Sequence, residues 1–134
     1  GAVYVFSQSN GAWNQQAYVK AAPKIVGPGP NDKAVYFGER AAISHDGNTL
    51  AVGRTGGGTP GAVHVLTRSG QTWKVQAHMQ AKVAAADVRN GDFVEGLGLS
   101  ADGNTLATIG MDRGPNFPNR LLYLFTRING AWGQ

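Results

Sequence analysis

The chain copies itself. Residues Phe37 to Ala51 return as Phe93 to Ala107, and Gly-Ala-Val-His-Val-Leu at 61 to 66 echoes Gly-Ala-Val-Tyr-Val-Phe at 1 to 6. A repeat of roughly 50 to 60 residues is a unit too small to shelter its own apolar surface, so the copies must stack in a solenoid, a propeller or an array.

The remaining bounds are set by size and composition. The 134 residues suit one domain in which the repeats share a core. Apolar residues make up 42% and charged residues 15%, which excludes a disordered tail. No run is long and apolar enough for a membrane-spanning helix, and short apolar runs punctuated by 20 glycines read as sheet. The net charge of +4 comes from basic residues strewn between Lys20 and Arg127 without a cluster, so no nucleic-acid partner is expected. Cysteine is absent, which removes disulfides and thiolate metal sites. The chain opens inside a strand pattern, so a targeting segment is expected to have been removed or to lie upstream.

Alternation then places the strands. In Ala2 to Phe6, Val3 and Val5 share one face and Tyr4 and Phe6 the other, which predicts a strand covered on both sides. Asn10-Gly11 is a hairpin turn, and the partner strand from Trp13 to Lys20 is more polar. After a Pro- and Gly-rich connector over 21 to 34 come a strand near Arg40 to Ser44, the turn His45-Asp46-Gly47-Asn48, and a strand from Thr49 to Gly53. Leu50 and Val52 lie opposite the small Ala51 and Gly53, a tapered pattern suited to a crowded position near an axis. A link over 54 to 60 leads to the second copy of the first hairpin. A connector over 81 to 92, a second Asp-Gly-Asn-Thr hairpin and a link over 110 to 119 precede the third copy, with its Asn129-Gly130 turn and Trp132.

Two kinds of hairpin thus alternate. One of each makes a four-stranded antiparallel sheet, so the expected fold is all-β, with propeller blades at 37–80 and 93–134 and half a blade at 1–20. Two and a half blades cannot close a ring, so the expectation is part of a larger propeller, completed by the same longer chain or by other subunits.

These motifs resemble the FG-GAP, or integrin-α-like, propeller repeat in its bacterial surface-protein form. The resemblance rests on Phe37-Gly38, Ser44 to Gly53, Gly61 to Leu66 and Trp73, and covers nearly the whole chain. The second copy departs at Val94, which replaces the glycine, and at Arg120-Leu121-Leu122. The resemblance implies an extracellular or cell-surface propeller that binds proteins, sugars or other surfaces. Calcium-binding members carry several acids in the loop after the first strand. Here the loops shorten to Ser44-His45-Asp46-Gly47-Asn48 and Ser100-Ala101-Asp102-Gly103-Asn104, each with one carboxylate, so calcium is not carried over and no cofactor is expected.

Individual residues read mostly as scaffold. Asp46, Gly47, Asn48, Asp102, Gly103 and Asn104 are turn residues. The acidic run Asp87 to Asp92 is a solvated connector. Trp13, Trp73 and Trp132 pack the outer strands, with a sugar-stacking platform as the alternative. His64 and His78 can meet across a hairpin but lack a third ligand, and His45 sits in a turn. The glycine-rich stretch Gly53 to Gly58 lacks the lysine of a phosphate loop and precedes a strand. Arg68 and Arg127 read as solvated charges. No triad is present, so an enzyme is not expected. Partner-binding residues are sought in the variable segments 21 to 36, 54 to 60, 81 to 92 and 110 to 119, which present Arg54, Thr55, Arg89, Asp112, Arg113 and Asn116. The expected function is adhesion, protein interaction or structural assembly, with a lectin-like propeller as the alternative.

Overall fold

A computed structural model of the chain describes residues 1–20, 35–56, 61–80, 93–113 and 118–134. Among the described residues there is no helix. The strands are β1 (Ala2–Ser9), β2 (Ala12–Lys20), β3 (Val35–Ile43), β4 (Thr49–Gly56), β5 (Ala62–Ser69), β6 (Thr72–Met79), β7 (Phe93–Leu99), β8 (Thr105–Arg113), β9 (Pro118–Ile128) and β10 (Ala131–Gly133). They form three antiparallel sheets: a first sheet β1-β2, a middle sheet β3-β4-β5-β6 and a last sheet β7-β8-β9-β10.

Local chemistry explains the hairpins. Asn10 and Gly11 have φ of 51° and 79°, and Asn129 and Gly130 have 50° and 81°. Two successive positive φ values give the turn whose twist matches that of the flanking strands.

The strands run further than the sequence pattern predicts. Residues 54–56, expected in an open link, extend β4, and β3 begins at Val35 because Val35, Tyr36 and Phe37 pair with Gly56, Thr55 and Arg54. Gly38 sits at a register shift with φ 89°, a bulge that bends the strand without ending it. The same happens between Phe93 and Gly96. Residues 110–113 likewise continue β8, and Met111, Asp112 and Arg113 pair with Arg120, Asn119 and Pro118 of β9.

Three strands occupy equivalent positions: β1, β5 and β9. Both faces of β5 are buried. Val63 and Val65 join Phe93, Leu106, Tyr123 and Phe125 in a core between the middle and last sheets. Leu66 joins Val5, Val19, Phe37, Leu50 and Val52 in a second core between the middle and first sheets. The middle sheet therefore lies between the other two, and one contact is used twice: the Val3/Val5 type of face packs on the next sheet's Leu66 or Phe125 type of face.

At the two ends this contact is missing. Tyr4, Phe6 and Tyr18 are half exposed on the first sheet, and Leu122 and Leu124 on the last. The expectation that β1 is covered on both sides therefore holds for its valine face alone.

Candidate functional site

The repeated turn is a closed hydrogen-bond device. Ser44 Oγ donates to Asp46 Oδ1 at 2.5 Å and accepts from the Thr49 N–H at 2.9 Å, while Asp46 Oδ1 also accepts from the Asn48 N–H at 3.0 Å. Asn48 Nδ2 donates to Asp46 Oδ2 at 3.0 Å. Ser100, Asp102, Asn104 and Thr105 repeat each bond. Donation by the serine, then by the asparagine backbone, holds both carboxyls below the usual carboxylate range. Gly47 and Gly103 take φ of 68° and 69° to complete the turn. Both carboxylate oxygens are used within the loop. Among the described residues no group of three His, Cys, Asp or Glu could hold a metal ion.

The turns also seat the arginines and tryptophans. Arg68 Nε and Arg127 Nε donate to Asn48 Oδ1 and Asn104 Oδ1 at 3.1 and 2.9 Å, and each guanidinium lies over a tryptophan, Trp73 or Trp132. They are anchored residues rather than the solvated charges that the sequence suggests. Trp73 Nε1 in turn donates to Gln16 Oε1 of the first sheet at 3.3 Å, and Trp132 Nε1 to Gln76 Oε1 of the middle sheet at 3.1 Å. Gln16 and Gln76 hold the same repeat position, so one glutamine per seam latches the following sheet's indole. The signal was present in the sequence as a shared Gln-Ala three residues past Trp13 and Trp73. A backbone bond adds to the seam between the last two sheets, His45 N–H to Ala101 O at 2.9 Å. Trp13, by contrast, is 67% exposed.

His64 and His78 do meet, with ring centroids 4.7 Å apart, and Phe37 packs edge-on to His64 at 5.5 Å. The first sheet carries Tyr4 and Tyr18 at these positions, 4.9 Å apart. Burial, then the neighbouring His78 and Arg54, push His64 down to about 4. Burial and Arg54 lower His78 too. The pair is therefore neutral at physiological pH, and the cation beside it opposes a bound metal ion.

A cleft lies between the middle and last sheets. It has a volume of about 490 Å³ and is lined by Glu39, Arg40, Thr55, Val94, Glu95, Ile109 and Arg120. Arg40 Nε donates to the Glu95 carbonyl at 3.1 Å, Arg120 Nε to Glu95 Oε2 at 3.0 Å, and Thr55 Oγ1 to Glu39 Oε2 at 3.1 Å. Val94 forms part of its wall at φ 105°, where the equivalent Gly38 has 89°. That region costs a branched residue about 1–3 kcal/mol and persists only where packing enforces it. Val94 is buried, and a Cβ on Gly53 would come within 2.5 Å of its Cγ1.

The expected partner-binding residues therefore scatter. Thr55 lines the cleft. Arg54 is 4% exposed within β4, so it does not stand on a rim loop as expected. Asp112 and Arg113 end β8. Arg89, Asn116 and the acidic run from Asp87 to Asp92 lie outside the described residues. What the sequence reading missed is Glu39, Arg40, Glu95 and Arg120, because their cluster forms only when two sheets meet. Comparison of the chain with protein-family models, with curated proteins and with solved structures finds no match.

Proposed function

We propose that the chain is about two and a half blades of a larger β-propeller of the FG-GAP, integrin-α-like kind, acting without catalysis at a cell surface or outside the cell in adhesion, protein interaction or structural assembly. The observation that carries this reading is the twice-used contact between sheets, both halves of which stand bare at the ends: Tyr4, Phe6 and Tyr18 on one side, Leu122 and Leu124 on the other. Exposed apolar faces of this kind mark surfaces that meet protein. The balanced charges of the cleft suit a polar partner surface better than a small apolar ligand.

The contact has two different halves, so its test is a mixing experiment. Sedimentation velocity of the chain is expected to show self-association that grows with concentration, because a heterologous contact leaves one half open on each added copy until a ring closes. Leu124→Glu and Phe6→Glu each spoil one half. Each variant alone should sediment as a monomer, and their mixture as a dimer. A wild-type chain that stays monomeric throughout would overturn the reading. The lectin-like alternative draws support from Trp13 alone, since Trp73 and Trp132 are engaged in the seams. A glycan array probed with the chain and with Trp13→Ala decides it.

A further inference from the structure

In the middle and last sheets, the strand equivalent to β1 is paired on both edges. β5 lies between β4 and β6, and β9 between β8 and β10. Among the described residues, β1 pairs with β2 alone. Beside its open edge runs a groove of about 230 Å³, lined by Val3, Tyr4, Val5, Phe6, Ala41, Ala42, Ile43 and Leu50. The other wall of the groove belongs to the middle sheet, where Ile43 is 51% exposed. An eight-residue edge with apolar side chains on both faces is a template for strand addition.

We propose that this edge and groove take a β-hairpin of the chain's own Asp-Gly-Asn-Thr kind. The inference rests on the assembly reading above and names the partner for one of its surfaces. The register is set by the two pairings already formed. Thr49, Leu50 and Ala51 lie opposite Thr67, Leu66 and Val65, and Thr105, Leu106 and Ala107 lie opposite Thr126, Phe125 and Leu124. Carried over to β1, the incoming threonine faces Ser7, its leucine faces Phe6 and its alanine faces Val5. Both existing hairpins also accept a backbone bond at the turn, from Arg68 N–H to Asn48 O and from Arg127 N–H to Asn104 O, each at 2.8 Å. In β1 the donor at that position is the Gln8 N–H. A small residue opposite Val5 matters, because that face must still pack on the middle sheet.

The probe is a synthetic peptide with the sequence of residues 97–110, LGLSADGNTLATIG. The protein is the full chain carrying Leu124→Glu, whose last-sheet face no longer supports self-association, so this test stands apart from the mixing experiment. Addition of the peptide should give saturable shifts and slowed exchange of the β1 amide protons. The peptide pays its own ordering cost, so affinity is weak. Leu106→Asp in the peptide, or Ile43→Glu in the protein, should each weaken binding at least about tenfold, with the melting temperature of the Ile43→Glu protein unchanged within a few degrees. The proposal is overturned if no saturable shift appears, if both substitutions leave binding unchanged, or if β1 protection arises without peptide and grows with protein concentration, which would make a second copy the occupant.

Discussion

Phe6 and Phe125 sit at the same repeat position in strands of the same kind, yet the first is 53% exposed and the second 4%. The difference lies in their neighbours. Phe125 faces the middle sheet and meets Phe93, while Phe6 faces outward from the first sheet, where no described residue covers it. A residue of this repeat acquires its energetic weight from the next sheet, so the end sheets carry side chains whose burial must come from elsewhere.

The most direct way to break this comparison is to truncate both rings. Phe125→Ala should cost about 3–5 kcal/mol by lost burial and cavity formation, and Phe6→Ala below about 1 kcal/mol, since a half-exposed ring has less burial to lose. Urea unfolding of the two variants under conditions that keep the chain monomeric measures both. Equal losses would mean that Phe6 is already covered.

The second prediction turns on the pair His64 and His78, which replaces the tyrosines of the first sheet. His64 is held neutral by burial down to about 4, whereas an unfolded chain takes up the proton near its ordinary value of 6.5. The unfolded state then binds more protons across that window, so stability falls as pH drops below about 6.5 and stops falling near 4. Solvent reaches part of the site, which reduces the loss to about 1–2 kcal/mol. His64→Tyr, the residue type found at Tyr4 and Tyr123, should reduce the slope between those limits, leaving the part that the lowered His78 contributes. A slope unchanged by the substitution would assign it elsewhere.

Much of the architecture was legible because it follows from local rules. Asn10-Gly11 and Asn129-Gly130 specify turns by backbone conformation, and the alternation in β5 specifies burial on both faces. What escaped depended on distance in the chain. The glycines that follow Arg54 suggest a loop, but its pairing with Phe37 and Ala62 keeps it in the sheet. Arg68 and Arg127 looked like hairpin-tip charges, and the asparagines that bind them lie 20 and 23 residues earlier. The cleft residues Glu39 and Glu95 come from different copies of the repeat, and no pattern within one copy marks them as neighbours.

The two turns offer a finer contrast. Ser44 is 3% exposed, and Ser100 makes the same bonds from a more open position. Removing the hydroxyl leaves the following threonine N–H and one aspartate oxygen short of a partner, and water can repair that at Ser100 more readily. Ser44→Ala should therefore cost about 1–1.5 kcal/mol and Ser100→Ala about 0.5 kcal/mol, measured by thermal or urea unfolding. Equal costs would show that burial of the turn by the neighbouring sheet contributes nothing.

The smallest expected effect concerns the glutamine latches, and it separates the two seams. Gln76 Oε1 accepts from both Trp132 Nε1 and Arg127 Nη1, at 3.1 and 3.0 Å, while Gln16 Oε1 accepts from Trp73 Nε1 at 3.3 Å. A charged donor strengthens the first latch, and exposure limits both. Gln76→Leu should cost about 1 kcal/mol and Gln16→Leu about 0.5 kcal/mol or less. The spectroscopic consequence is cleaner than the energetic one, because each substitution frees a different indole. Gln76→Leu should shift the indole N–H resonance of Trp132 and leave that of Trp73 in place, and Gln16→Leu should do the reverse. A substitution that moved both resonances would mean that the seams are coupled through the middle sheet, and the sheets could no longer be treated as separately latched units.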